Sequence, residues 1–184
     1  MIKVIAFDFI GVLVNEKDIE LSTIEDKIER EFGDNFNDYD FLEKFRYLGN
    51  DDDIINITKD VINKLYIIRD KDIFKKIKNR YNVKIIIATN NLSYVKEYIS
   101  NIFDMKYISD IIVSADINMI KPNSNFYNYI LDKYGITAKE MLFLDDNILN
   151  IEGANRLGIN TIKVNRNMDL YSEIVNFMKL NNDL

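Results

Sequence analysis

The sequence predicts a parallel α/β sheet covered by helices on both faces, with a helical insertion after its first strand. Three observations carry this. Short apolar, β-branched runs recur, and most end on polar residues. From Val83 onward such runs alternate with helical stretches, the pattern of parallel strands joined by right-handed crossovers. Between Asn15 and Asn79 the strand pattern stops, and apolar residues fall at helical spacing instead.

The first strand is Lys3-Val4-Ile5-Ala6-Phe7-Asp8-Phe9, turning at Gly11. It reads as a buried parallel strand that carries one carboxylate at its C-terminal end. Ligands of open α/β sheets bind beyond that end. A bare carboxylate there is costly without a cation or strong donors. Asp8 is therefore a candidate nucleophile or metal ligand, the alternative being an acid that only opens a turn.

The insertion carries three apolar faces: Ile24, Ile28 and Phe32; Phe41, Leu42, Phe45 and Leu48; and Val61, Ile62, Leu65 and Ile68. Gly33 and Gly49 stand where helices can end. Asp70 or Asp72 can cap a further helix holding Ile73, Phe74 and Ile77. Residues 1–14 and 80–184 are thus expected to form the α/β core, and 15–79 a helical cap domain.

The second strand, Val83 to Ala88, runs into Thr89-Asn90-Asn91, and a helix with Val95, Tyr98, Ile99 and Ile102 on one face follows. The third is Ile111-Ile112-Val113-Ser114. A loop from Ala115 to Ser124 holds Lys121 and the only proline, Pro122. Asn118 in that loop is expected to tolerate a left-handed conformation. A helix with Phe126, Tyr129 and Ile130 closes at Gly135. The fourth strand, from Met141, ends in Asp145-Asp146, and its helix stops at Gly158. A fifth strand (159–164) and a last helix (170–180) complete the domain, with fraying expected from Asn181.

Composition narrows the chemistry. The 184 residues are 47% hydrophobic and 29% charged, as in ordinary globular proteins. With 0 Cys and 0 His, disulfides, thiolate nucleophiles, a Ser-His-Asp triad and the usual zinc ligand sets are excluded. Carboxylates, Lys, Arg, Thr, Ser and Tyr remain, with hard metals bound through oxygen. A net charge of −6 argues against nucleic acid or anionic membrane as partner. No apolar run spans a bilayer. Lys3 precedes an apolar run as in a signal peptide, but Asp8 interrupts it and no cleavage site follows, so a cytoplasmic location is expected.

Asp8, Thr89 with Asn90, Lys121, and Asp145 with Asp146 all fall at strand ends or adjacent loops on one edge of the expected sheet. Each alone has an ordinary reading as turn former, loop lysine or helix cap. Three acids in one crevice ionise cheaply only around a cation. Mg²⁺ suits a few carboxylates, a backbone carbonyl and phosphate oxygens, while Thr89 and Lys121 offer a donor and a positive charge to an anion. This is an inventory for phosphoryl transfer to a carboxylate.

These segments resemble the haloacid dehalogenase-like (HAD) hydrolase superfamily, over nearly the whole chain. The motifs are Phe7-Asp8-Phe9-Ile10-Gly11-Val12-Leu13, Ile87-Ala88-Thr89-Asn90, Lys121-Pro122, and Phe143-Leu144-Asp145-Asp146-Asn147 running on to Gly158. The resemblance implies a three-layer Rossmann-like core. It implies Asp8 as nucleophile, Thr89 and Asn90 with Lys121 at the phosphate, and Mg²⁺ held by Asp8, the Ile10 carbonyl, Asp145 and Asp146. The small helical cap is similar to that of the branch with sugar-1-phosphate phosphatases and the phosphatase domain of epoxide hydrolases. The implied substrate is a small phosphorylated metabolite, and the implied assembly a monomer or homodimer.

One position departs from the pattern. Family phosphatases mostly carry a second Asp two residues after the nucleophile, as general acid and base. Here that residue is Ile10, which can offer its carbonyl to a metal but no proton. Three readings follow: a Mg²⁺-dependent phosphatase that tolerates Ile10, a weak or inactive domain that binds a phosphate ligand or a protein partner, and a metal-free dehalogenase. The pair Asp145–Asp146 argues against the last, because it would stand uncompensated. Arg46 and Tyr47 are weighed as substrate contacts from the cap against a simpler reading as a solvated pair.

Overall fold

The computed structural model describes residues 1–32 and 37–182. Gly33, read above as a helix end, lies outside the described residues. The chain begins with β1 (Val4–Phe7) and β2 (Val14–Glu16). Helices α1 (Thr23–Glu29), α2 (Asp38–Lys44) and α3 (Asp51–Leu65) follow, then β3 (Tyr66–Ile68) and α4 (Ile73–Arg80). Next come β4 (Lys84–Thr89), α5 (Val95–Ile102), β5 (Asp110–Val113), the short α6 (Ser114–Ile117) and α7 (Ser124–Tyr134). The last elements are β6 (Met141–Asp145), α8 (Ile148–Arg156), β7 (Asn160–Lys163) and α9 (Leu170–Asn182).

The main sheet is parallel throughout, in the order β5-β4-β1-β6-β7. Because successive side chains point to opposite faces, each central strand feeds two cores. Ile5, Phe7, Ile85, Ile87, Leu142 and Leu144 share one cluster with α4, α5 and α9. Val4, Ala6, Ile86, Ala88 and Phe143 pack with Phe126, Tyr127 and Ile130 of α7 and with Ile151 and Ala154 of α8. The strands are apolar on both sides because both sides are covered. β1 lies at the centre, where the order switches from β4 on one flank to β6 on the other. The crevice beyond its end is thus the expected ligand site.

The helical segment is real but not wholly helical. β2 and β3 form a two-stranded antiparallel ribbon at its base, with Asn15 opposite Ile67 and Glu16 opposite Tyr66. Ile68, expected on the third helical face, therefore belongs to a strand. Three-residue strands are too short for alternation to show in the sequence. Ile28, Phe32, Phe41, Phe45, Val61, Ile62 and Leu65 are buried as their spacing predicts, whereas Ile24 is exposed. Helix α4, which crosses the expected boundary at residues 79–80, packs on the sheet through Phe74, whose ring meets Phe7 at 5.5 Å and Phe103 at 4.9 Å. Asp72 stands at its N-cap position but makes no side-chain cap bond. Asp70 instead accepts from the Asp72 amide.

Two smaller expectations also meet the structure. Asn118 is left-handed, at φ 51 and ψ 37. Of the tail expected to fray, Asn181 and Asn182 still belong to α9, and residues 183–184 lie outside the described residues. Among the described residues no helix is long and apolar enough to cross a membrane.

Candidate active site

Asp8 follows β1 directly, and its amide donates to the Leu144 carbonyl of β6 at 2.8 Å. This last rung of the ladder aims the side chain into the crevice. The Lys121 ammonium reaches the same place from the loop after α6. It lies 2.8 Å from Asp8 Oδ1 and 2.7 Å from Asp145 Oδ2. All three groups are buried, with Asp145 fully so. An ion triplet this dry survives only with its remaining lone pairs satisfied. Asp145 meets that condition: Oδ1 accepts from the Asn147 amide at 2.7 Å and both oxygens accept from Asn150 Nδ2 at 3.1 and 3.0 Å. Asn150 is held in turn, since its carbonyl accepts from the Tyr127 hydroxyl at 2.7 Å.

The loop that delivers Lys121 is pinned on both sides. The Asn90 side chain brackets the Lys121 peptide, donating to its carbonyl and accepting from its amide, each at 2.9 Å. Gly153 of α8 lies against Pro122, where a Cβ would sit 2.6 Å from the Pro122 carbonyl. Ser114, at the start of α6, accepts from the Asn91 amide and donates to its carbonyl. These contacts fix the turn after β4 relative to the turn after β5.

Asp146 differs from Asp145 although it is the next residue. It is exposed, and among the described residues it makes no ion pair. Gly11 packs directly on it: a Cβ at residue 11 would fall 2.2 Å from Asp146 Oδ2, and Gly11 holds φ +78. Both facts restrict that turn to glycine. Asp8, Asp145 and Asp146 each bring a carboxylate oxygen within 4.8 Å of the others, a group that could hold a metal ion. A cavity of about 330 Å³ opens beside Asp146 and Ile10, lined also by Asn15, Lys163 and Arg166.

Electrostatics follow from this burial. Burial pushes the Asp8 carboxyl up to about 7, against the pull of Lys121 and with a further push from Asp145. Burial alone would lower Lys121, but the carboxylates of Asp8 and Asp145 hold it above its ordinary value, so it stays an ammonium. Burial and the neighbouring Asp145 charge also raise Asp146. A cation between Asp8 and Asp146 would reverse both upward shifts.

The chain matches a known family over most of its length. The family model for haloacid dehalogenase-like hydrolase matches residues 5–164. The chain belongs to the HAD-like hydrolases. Solved structures of HAD proteins share this fold at low identity. One is a predicted HAD-like family hydrolase from Porphyromonas gingivalis, 18% identical, TM-score 0.74, covering 97% of this chain and 98% of that one. Another is a HAD family enzyme from Bacteroides thetaiotaomicron, solved in complex with magnesium and inorganic phosphate. It is 18% identical with TM-score 0.71, and the match covers 94% of this chain and 99% of that one. Among curated proteins, (S)-2-haloacid dehalogenase 4A of Burkholderia cepacia is 32% identical over 60 residues. That match spans 32% of this chain and about a quarter, 26%, of the relative.

The structure thus joins Asp8, Lys121 and Asp145 by ion pairs and sets an Asp146 carboxylate oxygen within 4.8 Å of those of Asp8 and Asp145. Thr89 closes β4 beside them, buried, its hydroxyl making only a long 3.5 Å contact to the Asn90 carbonyl. Arg46 does not face the crevice as a free group. It pairs with Glu43 at 2.8 Å and with Asp51, and Tyr47 is exposed. Sequence reasoning missed the supports: Asn150, Tyr127 and Ser114. Asn150 had a signal, being a polar residue on the face of α8 that also carries Ile151 and Ala154.

Proposed function

We propose that this HAD-like hydrolase is a Mg²⁺-dependent phosphatase acting on a small phosphorylated metabolite, with Asp8 as nucleophile. The observation that carries this reading is the buried ammonium of Lys121 shared between Asp8 and Asp145, with the unpaired carboxylate of Asp146 alongside. Asp8, the Ile10 carbonyl and Asp146 would hold the metal. Asp145, whose two oxygens already accept four hydrogen bonds, serves chiefly to hold Lys121, although all three acids are close enough for direct ligation. A bound Mg²⁺ supplies charge neutralisation between the nucleophile and the phosphoryl oxygens.

In this reading the Asp8 carboxylate attacks phosphorus, the bond from phosphorus to the ester oxygen breaks, and the leaving group departs with the electron pair. Water then attacks the aspartyl phosphate, which restores Asp8 and releases phosphate. Lys121 and the Thr89 hydroxyl contact the phosphoryl oxygens, while Asn90 serves the site by bracing Lys121. Ile10 gives no proton to the departing oxygen, and general acid–base help is typically worth ~10²–10⁴-fold. Sugar-1-phosphates and acyl phosphates, which leave with little protonation, are therefore the favoured class. The helices between β2 and β3, most of the 15–79 segment, act as the cap that closes over the substrate.

Ile10 also favours a second reading, a domain that holds a phosphate ligand or a protein partner with little or no turnover. The dehalogenase reading loses part of the objection raised from sequence, since Asp145 is compensated by Lys121 and Asn150; Asp146 alone stands against it. A screen of sugar phosphates, acyl phosphates, nucleotides and an aryl phosphate with Mg²⁺ decides. Turnover that falls by at least ~10³-fold in Asp8→Asn, a scale set by loss of the covalent route, supports the phosphatase. Phosphate binding without turnover supports the second reading.

A further inference from the structure

Arg69 stands where β3 leaves the helical segment and re-enters the core. Its guanidinium makes four hydrogen bonds to three separate stretches of chain. Nη2 donates to the Gly11 carbonyl at 2.8 Å and to Asn15 Oδ1 at 3.1 Å. Nη1 donates to the carbonyls of Asn165 at 2.8 Å and Met168 at 3.3 Å. The Arg69 amide also donates to the Leu13 carbonyl at 3.0 Å.

Each contact has a place in the fold. Asn15 lies on β2, the strand that enters the helical segment, and Arg69 follows β3, the strand that returns. Asn165 and Met168 belong to the core loop between β7 and α9. Gly11 sits in the turn that follows Asp8, next to Ile10, and presses on Asp146. One side chain therefore ties both strands of the hinge ribbon to the core, and ties the same ribbon to the turn that abuts Asp146. A planar fork with five donors can serve four acceptors in this way, whereas a single ammonium cannot span them.

We infer that Arg69 is a positioning residue that couples the hinge of the helical segment to the metal face of the site. This rests on the proposed function for the identity of the metal and on geometry alone for the clamp. Removing the guanidinium leaves the Gly11 carbonyl and Asn15 unpaired and frees the turn to move off Asp146. The Ile10 carbonyl, one residue away, moves with it. Loss of the clamp loosens the ribbon and weakens metal binding together.

The test compares the wild-type chain with Arg69→Ala, Arg69→Lys and Arg30→Ala. Arg30 pairs with Asp26 at 3.0 Å on the surface of α1 and serves as a control that touches neither the ribbon nor the crevice. Mg²⁺ affinity is measured by calorimetry and hinge mobility by amide exchange over residues 13–16 and 66–69. Arg69→Ala is expected to bind Mg²⁺ about tenfold more weakly, the scale for loss of a group that orients metal ligands, and to exchange its hinge amides faster. Added methylguanidinium is expected to restore part of both. Arg69→Lys, which keeps the charge but not the fork and is the safer variant for folding, is expected to fall nearer to Ala than to wild type. Arg30→Ala is expected to match wild type in both. Wild-type Mg²⁺ affinity and hinge exchange in Arg69→Lys, even with a lowered melting temperature, would overturn the inference. If the wild-type chain takes up no Mg²⁺, the proposed function fails. The exchange measurement still tests the clamp, and unchanged hinge exchange would overturn it too.

Discussion

The floor of the crevice and the helical segment use charge in opposite ways. In the floor, Asp8, Lys121 and Asp145 are buried, and every bond among them is short and braced from behind by Asn150, Tyr127 and Asn90. In the segment, the ion pairs lie on the surface: Arg30 with Asp26, Arg46 with Glu43, and Lys64 with Glu25. Buried charges must be paired in one geometry or they cost several kcal/mol, whereas exposed pairs are worth roughly 0–1 kcal/mol each. The floor is therefore rigid by necessity. The segment's polar contacts with the core include Lys59 with Glu97 at 2.6 Å and Asp38 with Ser93, and its Ile28, Phe41 and Ile62 share one apolar cluster with Ile5 and Phe7 of β1.

The sharpest way to break this contrast is in the floor. Lys121→Met leaves two buried carboxylates without their cation, and removal of one partner from such a group costs about 3–5 kcal/mol. Urea unfolding should show that loss, and Asp145→Asn added to it should recover part of it. A loss near zero would mean that the floor is hydrated, not dry.

The contact between the two regions comes next. The Asp38 carboxylate accepts from the Ser93 amide at 2.9 Å and from the Ser93 hydroxyl. Asp38 opens α2, while Ser93 follows the turn that carries Thr89 and Asn90. Asp38→Ala should cost about 1.5–3 kcal/mol, the range for hydrogen bonds to a charged group. Amide exchange should quicken in α2 and leave the central strands unchanged. Equal protection of α2 in the wild type and in Asp38→Ala would show that apolar packing alone seats the segment.

The smallest effect is a matter of pH. Glu25 closes a capping box with Ser22 at the start of α1, and Glu140 closes one with Thr137 before β6. The Ser22 amide and Lys64 hold Glu25 well below the usual carboxylate range, to about 2, and Lys3 with the Thr137 amide does the same for Glu140. A depressed carboxylate stabilises the fold above its unfolded value and loses that contribution as it is protonated. The stability from each box should thus be intact above about pH 4.5 and vanish as pH falls towards about 2. Glu25→Gln should flatten this acid dependence only in the segment, and Glu140→Gln only in the core. Melting curves from pH 2 to 6, read with probes in each region, check both.

Much of the core was legible before any coordinates. Val4 to Phe7, Lys84 to Thr89 and Met141 to Asp145 are strands because their side chains are apolar on both sides, and that pattern survives in the sequence. Asp8 and Asp145–Asp146 stood out because an acid at the end of such a run needs an explanation. The β2–β3 ribbon was not legible, since three residues carry no period. Nor was the division of labour between Asp145 and Asp146. Adjacent identical residues look alike in a string, and only the fold turns one towards Lys121 and the other towards Gly11 and solvent.

The sequence by itself determined the layered α/β core, the oxygen-only chemistry forced by the lack of His and Cys, and the membership of Asp8 and Lys121 in one site. These depend on local patterning and on residue type, which a chain carries with it. Tertiary structure alone decided which carboxylate is saturated and which is open, that Asn90 braces a lysine, and that Arg69 joins the hinge to the turn beside Asp146. Those outcomes arise from groups distant in sequence meeting at hydrogen-bond range, where the donors that converge on Asp145 leave Asp146 with no ion pair among the described residues.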